Sequence, residues 1–208
     1  MSDQLPTIEG DGGPRESIPV TLFGDLASGG NPIGISNPIP ASTPDGFFAL
    51  AASFVRPSNT TAYASGDLVA DSTSAAAALE LPLAFRAAGQ AVRIERLRLR
   101  KTSVTLTDAS LRVHLFRLRP TLTVNDNDVF DSAGVLAISD IAGYVGTIDV
   151  TMNYAAVAGA CGVGVPGVGS AITCDGIGTS LWVAIEARAA YGPASAETFT
   201  VTIEGARS

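Results

Sequence analysis

The sequence predicts an all-β protein, an antiparallel two-sheet β-sandwich over residues 47–208 preceded by an extended Pro/Gly-rich arm over residues 1–46. Three observations carry that expectation. Several stretches alternate apolar and polar residues with period two, which is the strand period. Helical periodicity never extends past a turn or two. Small and β-branched residues dominate, while charged residues make up only 16% of the chain.

The arm is set apart by its proline and glycine content. Eight of the twelve prolines fall between Met1 and Pro57, and eight glycines lie within residues 1–46. Proline fixes φ and removes a backbone donor, and glycine weakens any regular element it interrupts, so helix is excluded there. The segment also carries Val20, Leu22, Phe23, Ile33, Ile35 and Ile39. Such side chains need a surface to bury against, and an extended arm finds one on a neighbouring subunit.

From residue 47 the pattern becomes that of a domain. Phe47–Val55 is apolar enough for a first core strand, closed by Arg56 and Pro57. Thr60–Val69 reads as a turn and a short strand. In Ala75–Phe85, the alternation of Leu79, Leu81, Leu83 and Phe85 with Pro82 inside argues for an edge strand. The clearest strand is Arg93–Lys101, with Leu97 and Leu99 on one face and Arg96, Arg98 and Arg100 on the other. Leu111–Leu118 continues in that style, and Thr107–Ser110 reads as the turn joining the two. Residues 121–146 read as an acidic loop, and Thr147–Met152 as a strand. Ala155–Gly178 yields no assignment. Ser180–Arg188 and Thr198–Glu204, separated by Tyr191–Ser195, read as a β-hairpin. The count is about eight strands, with no internal repeat.

Charge is unevenly spread. Arg93–Arg119 holds eight basic residues against two acidic ones, whereas Pro120–Ala187 holds seven acids and no Lys or Arg, within a chain of net charge −7. Three readings of the arginine face follow: a solvated outer sheet face, a basic face meeting an acidic surface of another subunit, and a nucleic-acid surface. The last fits poorly with a pI near 4.6 and with the scarcity of interleaved aromatics. No run of apolar residues is long enough for a transmembrane helix. The first residues do not read as a secretory signal, so synthesis in the cytoplasm is expected.

Enzymatic arrangements find little support, and neither a catalytic residue nor a cofactor is expected. His114 is the only histidine and sits mid-strand among arginines. The run Gly162–Gly169 superficially resembles a phosphate loop, but Pro166 and the missing lysine make it a flexible loop instead. Asp126, Asp128 and Asp131 are a weak calcium candidate, with local turn formation as the favoured alternative. Cys161 and Cys174 leave two readings open, a disulfide closing the loop and a pair of free thiols, and cytoplasmic synthesis favours the thiols.

Two stretches carry a resemblance. Val20-Thr21-Leu22-Phe23-Gly24-Asp25-Leu26 with Gly30–Pro40 resembles the extended N-terminal arms of tailed-bacteriophage structural proteins. Tyr63–Val69, Arg93–Leu99 and the run from Leu115 through Pro120 to Phe130 resemble a β-sandwich virion protein of the capsid-decoration (cement) type. The resemblance implies a jelly-roll-like fold, a place on the capsid surface, and contacts with the major capsid protein and with sister copies in a dimer or trimer. Neither nucleic acid nor membrane is expected as a partner, on the charge and hydropathy grounds above. The expected contact residues are Val20, Leu22, Ile33, Ile35 and Ile39 on the arm and Arg96, Arg98 and Arg100 on the sheet. The alternative role is the base of a head or tail fibre, anchored to the virion by its arm and binding a host surface.

Overall fold

The computed structural model describes residues 46–130, 138–167 and 171–207. The arm, and with it Val20, Leu22, Ile33, Ile35 and Ile39, lies outside the described residues apart from Gly46. The described residues form eleven strands: β1 (Gly46–Val55), β2 (Leu68–Val69), β3 (Leu79–Leu81), β4 (Ala91–Lys101), β5 (Ser110–Phe116), β6 (Tyr144–Thr151), β7 (Tyr154–Ala156), β8 (Gly159–Gly164), β9 (Ile172–Asp175), β10 (Leu181–Ala187) and β11 (Thr198–Arg207). One helical turn, α1 (Ile138–Ile141), precedes β6.

The strands form two antiparallel sheets. One is ordered β1-β11-β4-β8-β7, with β9 continuing the line of β8 along β4; the other is β2-β10-β5-β6, with β3 also on β10. Only β5 and β6 are successive strands that pair within the second sheet. The main path otherwise alternates between sheets, from β1 to β2 and β3, back to β4, over to β5 and β6, back to β8 and β9, over to β10, and finally to β11. A six-stranded and a five-stranded layer linked this way form a jelly-roll-like sandwich, with the core between them.

This topology corrects two expectations. Residues 102–109 do not close a hairpin, because β4 and β5 belong to different sheets. Likewise β10 pairs with β2, β3 and β5, while β11 pairs with β1 and β4. Period-two alternation reports which side of a strand is buried; it carries no information about the partner. Two further readings change. The expected core strand, β1, is an edge strand in which only Phe48 is fully buried. The alternation through Leu83 breaks because β3 ends at Leu81, and Leu83 turns into left-handed backbone (φ 59°) with its side chain exposed.

The core is built from the inward side chains of each strand: Leu97 and Leu99 on β4, Leu111, Val113 and Leu115 on β5, Val183 and Ile185 on β10, and Phe199, Val201 and Ile203 on β11. The Gly-rich segment, unassigned from sequence, has a packing role. Gly162 and Gly164 face inward on β8. A Cβ at Gly162 would stand 2.3 Å from the Thr151 carbonyl oxygen, and one at Gly164 would stand 2.4 Å from that of Asp149. Their bare backbone lets β8 press against β6 of the other sheet and closes that side of the sandwich.

The same segment settles the cysteines as free thiols. Cys161 pairs in register with Arg100 and Cys174 with Val92, both along β4. Eight residues of strand separate those positions, about 26 Å at the usual rise, whereas a disulfide needs Cα atoms within about 7 Å. Burial pushes the Cys174 thiol up to about 11.

Gly162→Val is expected to cost about 1–3 kcal/mol or more, because backbone and not a flexible side chain must give way. Gly192→Ala, where a Cβ meets nothing within 4 Å, is expected to be neutral or slightly stabilising. Urea unfolding midpoints of the two variants test the contrast.

Candidate functional site: the arginine face and its surroundings

Period two places Arg96, Arg98 and Arg100 together on the outer face of the first sheet, behind the buried Leu97 and Leu99. In register across from them on β11 stand Glu204, Thr202 and Thr200. Glu204 engages two of the three arginines. It accepts from Arg96 Nε at 2.6 Å and from its Nη2, and pairs through Oε1 with Arg98 Nη2 at 2.6 Å. Arg100 has no carboxylate partner among the described residues. The row is therefore partly neutralised within its own sheet, and Arg100 is its free end.

Beside the row, the flanking strands are apolar. Arg98 lies next to Val163, Arg100 next to Cys161, and Cys161 next to Tyr154. On the other flank Ala49, Ala51 and Ser53 of β1 lie against Glu204, Thr202 and Thr200. A register shift at Glu204/Gly205 makes Glu95 the extra residue of a bulge. Only glycine fits there, since a Cβ on Gly205 would stand 2.0 Å from the Arg93 carbonyl oxygen. Over the bulge lies a shallow groove of about 560 Å³ lined by Phe47, Ala49, Glu95, Arg96, Val165 and Glu204. Phe47 at its rim is 84% exposed.

The outer face of the second sheet is different, because the chain covers it. Leu122, Val124 and Phe130 from the β5–β6 connection pack with Leu68, Ala70, Phe116, Trp182 and Ala184. At the margin of this cover sits His114. Its Nε2 donates to Glu186 Oε2 at 2.7 Å, and Glu186 Oε1 accepts from Arg188 at 2.6 Å. The Tyr144 hydroxyl lies 3.4 Å from Nδ1, and Phe130 meets the ring edge-on at 4.9 Å. Burial lowers the imidazole below its ordinary value, with the Glu186 hydrogen bond opposing. The arrangement agrees with a structural histidine; its carboxylate partner was not foreseen.

The acidic loop is drawn into the interior. Asp126 pairs with Arg56 Nη2 at 2.9 Å and accepts from the Tyr63 hydroxyl at 2.6 Å and the Ala70 amide at 3.0 Å. Both oxygens are thus engaged by protein donors. Asp128 accepts from the Asn125 amide at 2.8 Å, and Asn127 sits in left-handed backbone at φ 68°. These are features of a tight turn. Asp131 lies outside the described residues, and no cluster of three metal-ligating side chains occurs among those described. Asp126 and Asp128 thus sit in a turn, as the favoured reading had it, and Asp126 is committed to protein donors.

A second clasp lies against the first. Lys101 Nζ donates to the Tyr191 hydroxyl at 2.8 Å and to Glu197 Oε1 at 3.1 Å, while the Tyr191 hydroxyl donates to Glu197 Oε2 at 2.5 Å. The Tyr63 and Tyr191 rings stack 6.2 Å apart and 4° from parallel. Burial, and then the hydrogen bonds to Asp126 and Glu197, push both phenols up. Burial lowers Lys101, opposed by Glu197. One signal was available for this clasp: Lys101, the only lysine, shares the inward parity of Leu97 and Leu99. A cation in that position demands a buried anion.

No family model matches the chain, and no curated protein sequence matches it.

Two predictions follow from these geometries. Asp126→Ala strands the Arg56 guanidinium in the interior and should cost about 3–5 kcal/mol of stability, read from chemical denaturation. His114 takes up its proton in the unfolded chain before it does so in the folded one. Stability should therefore fall as pH drops below about 6.5, and His114→Gln should flatten that part of the stability–pH curve.

Proposed function

We propose that this chain is a capsid decoration (cement) protein of a tailed bacteriophage, seated on the outer surface of the head lattice in contact with the major capsid protein and with sister copies. One observation carries the reading beyond the sequence resemblance. The two faces of the jelly roll are treated oppositely: the chain's own β5–β6 connection covers the second sheet, while the first sheet keeps an outward arginine row with apolar flanks. A face that the described residues leave uncovered suits attachment to a surface, and an arginine row favours carboxylates on that surface.

In this reading the domain does no chemistry. Arm residues Val20, Leu22, Ile33, Ile35 and Ile39 anchor it to a neighbouring subunit, by main-chain pairing for affinity and alternate side chains for register. Repetition over a symmetric shell offsets the cost of ordering the arm, since each attached copy holds the next at high effective concentration. Synthesis takes place in the host cytoplasm, with neither nucleic acid nor membrane as partner.

Deleting residues 1–44 should abolish binding to purified empty heads in a co-sedimentation assay, while far-UV circular dichroism and the melting transition of the domain persist. Undiminished binding by the truncated protein would sink the arm-anchored reading. Copy number per particle gives a second readout: hundreds of copies support decoration, and a few dozen or fewer favour a fibre base.

A further inference from the structure

The outer edge of β1 is a surface that the described domain leaves incomplete. Among the described residues β1 pairs with β11 along all ten of its positions and with no other strand, so they leave its far side as an unpaired sheet edge. Native edges of this kind are blunted by charge, proline, bulges or shortness. β1 has none of these: Gly46–Val55 carries no charged residue and no proline, and its register with β11 is unbroken. The other outer strands are protected. β2, β3, β7 and β9 are only two to four residues long, and β6 carries Asp149 and is closed against β8 by the glycines.

A second observation is independent of the first. Inward residues of the adjacent β11, Phe199, Val201 and Ile203, are fully buried, whereas Leu50, Ala52 and Phe54 on β1 are only half-buried. The core is therefore unsealed along this edge. Outward, Phe47 and Val55 are exposed.

We infer that β1 pairs antiparallel with β1 of a second copy across a two-fold axis at Ala51, joining two six-stranded sheets into one. The strand is its own complement. About that axis, outward Phe47 faces Val55 of the second copy, Ala49 faces Ser53, and Ala51 faces Ala51. Inward, Phe48 faces Phe54 and Leu50 faces Ala52. Every residue keeps its face, bulky side chains meet bulky or small ones, and no charge opposes a like charge. The pairing also sets the two arginine rows on one continuous face, five strand spacings or about 24 Å apart.

This deepens the sister-copy part of the proposed function, and it makes no use of the capsid part. The test is sedimentation equilibrium on the full chain: wild type, Ala51→Lys, Ala51→Glu, and the two variants mixed in equal amounts. Ala51 is exposed, so neither substitution enters the core, and circular dichroism confirms folding. Wild type should dimerise. Each variant alone places like charges opposite each other at the axis and should dimerise about tenfold more weakly or worse, a loss of about 1.4 kcal/mol; the mixture should recover the dimer. Hydrogen exchange of β1 amides should be slow in the wild-type dimer and faster in either variant.

A wild-type chain that stays monomeric at high micromolar concentration would overturn the inference. So would a dimer indifferent to both substitutions, which places the interface elsewhere. Protection of β1 that is equal in monomeric samples would also overturn it, since another segment of the same chain then covers the edge. Loss of head binding leaves these outcomes untouched, so the two readings fail separately.

Discussion

The pair of stacked ionic clasps is the constraint on which the rest of the domain depends. A jelly roll sends nearly every connection from one sheet to the other, and those connections must be held where they cross. Arg56 follows β1, Tyr63 precedes β2, Lys101 ends β4, and Tyr191 and Glu197 lie between β10 and β11. All converge at one end of the sandwich, and their charged side chains are fully withdrawn from water. Ion pairs so placed add little net stability over a hydrophobic substitute, because desolvation offsets the attraction. What they add is exclusivity, since misplacing one connection leaves a buried charge without its partner. The stacked tyrosines join the two clasps, so an error in one reaches the other.

Asp126 extends this control to the opposite sheet. It belongs to the long connection after β5, and its bonds to Arg56, Tyr63 and the Ala70 amide hold that connection beside β2. Backbone bonds from Leu68 to Asp128 and from Asn127 to Leu68 hold the same stretch in place. Only because it is fixed there can Leu122, Val124 and Phe130 lie over the second sheet and bury β10 on both sides. The Asp126 carboxylate and these backbone bonds together lay the connection over the second sheet, so the chain itself covers that face.

Much of this architecture was legible as pattern, and little of it as connectivity. Alternation in Arg93–Lys101 placed Leu97 and Leu99 inside and the arginines outside, and Pro82 pointed to an edge strand, although that strand stops at Leu81. The same alternation suggested hairpins at Thr107–Ser110 and Tyr191–Ser195, where the chain instead crosses between sheets. Period two is a local property of side-chain direction; strand pairing is decided by closing the core, over distances no local window spans. Asp126 read as a turn residue with a weak calcium alternative, because its partner Arg56 lies far upstream. Gly162 and Gly164 read as flexibility because the backbone they admit belongs to β6, in the other sheet.

The register of Gly46 with Arg207 has a bearing on how the domain is made. β1 emerges from the ribosome early, yet its partner β11 is separated from it by every other strand. At ordinary elongation rates of about 5–20 residues per second, β1 waits roughly 10–30 s before that partner exists. During this interval an uncharged ten-residue strand is exposed on both edges, to other nascent copies and to chaperones alike.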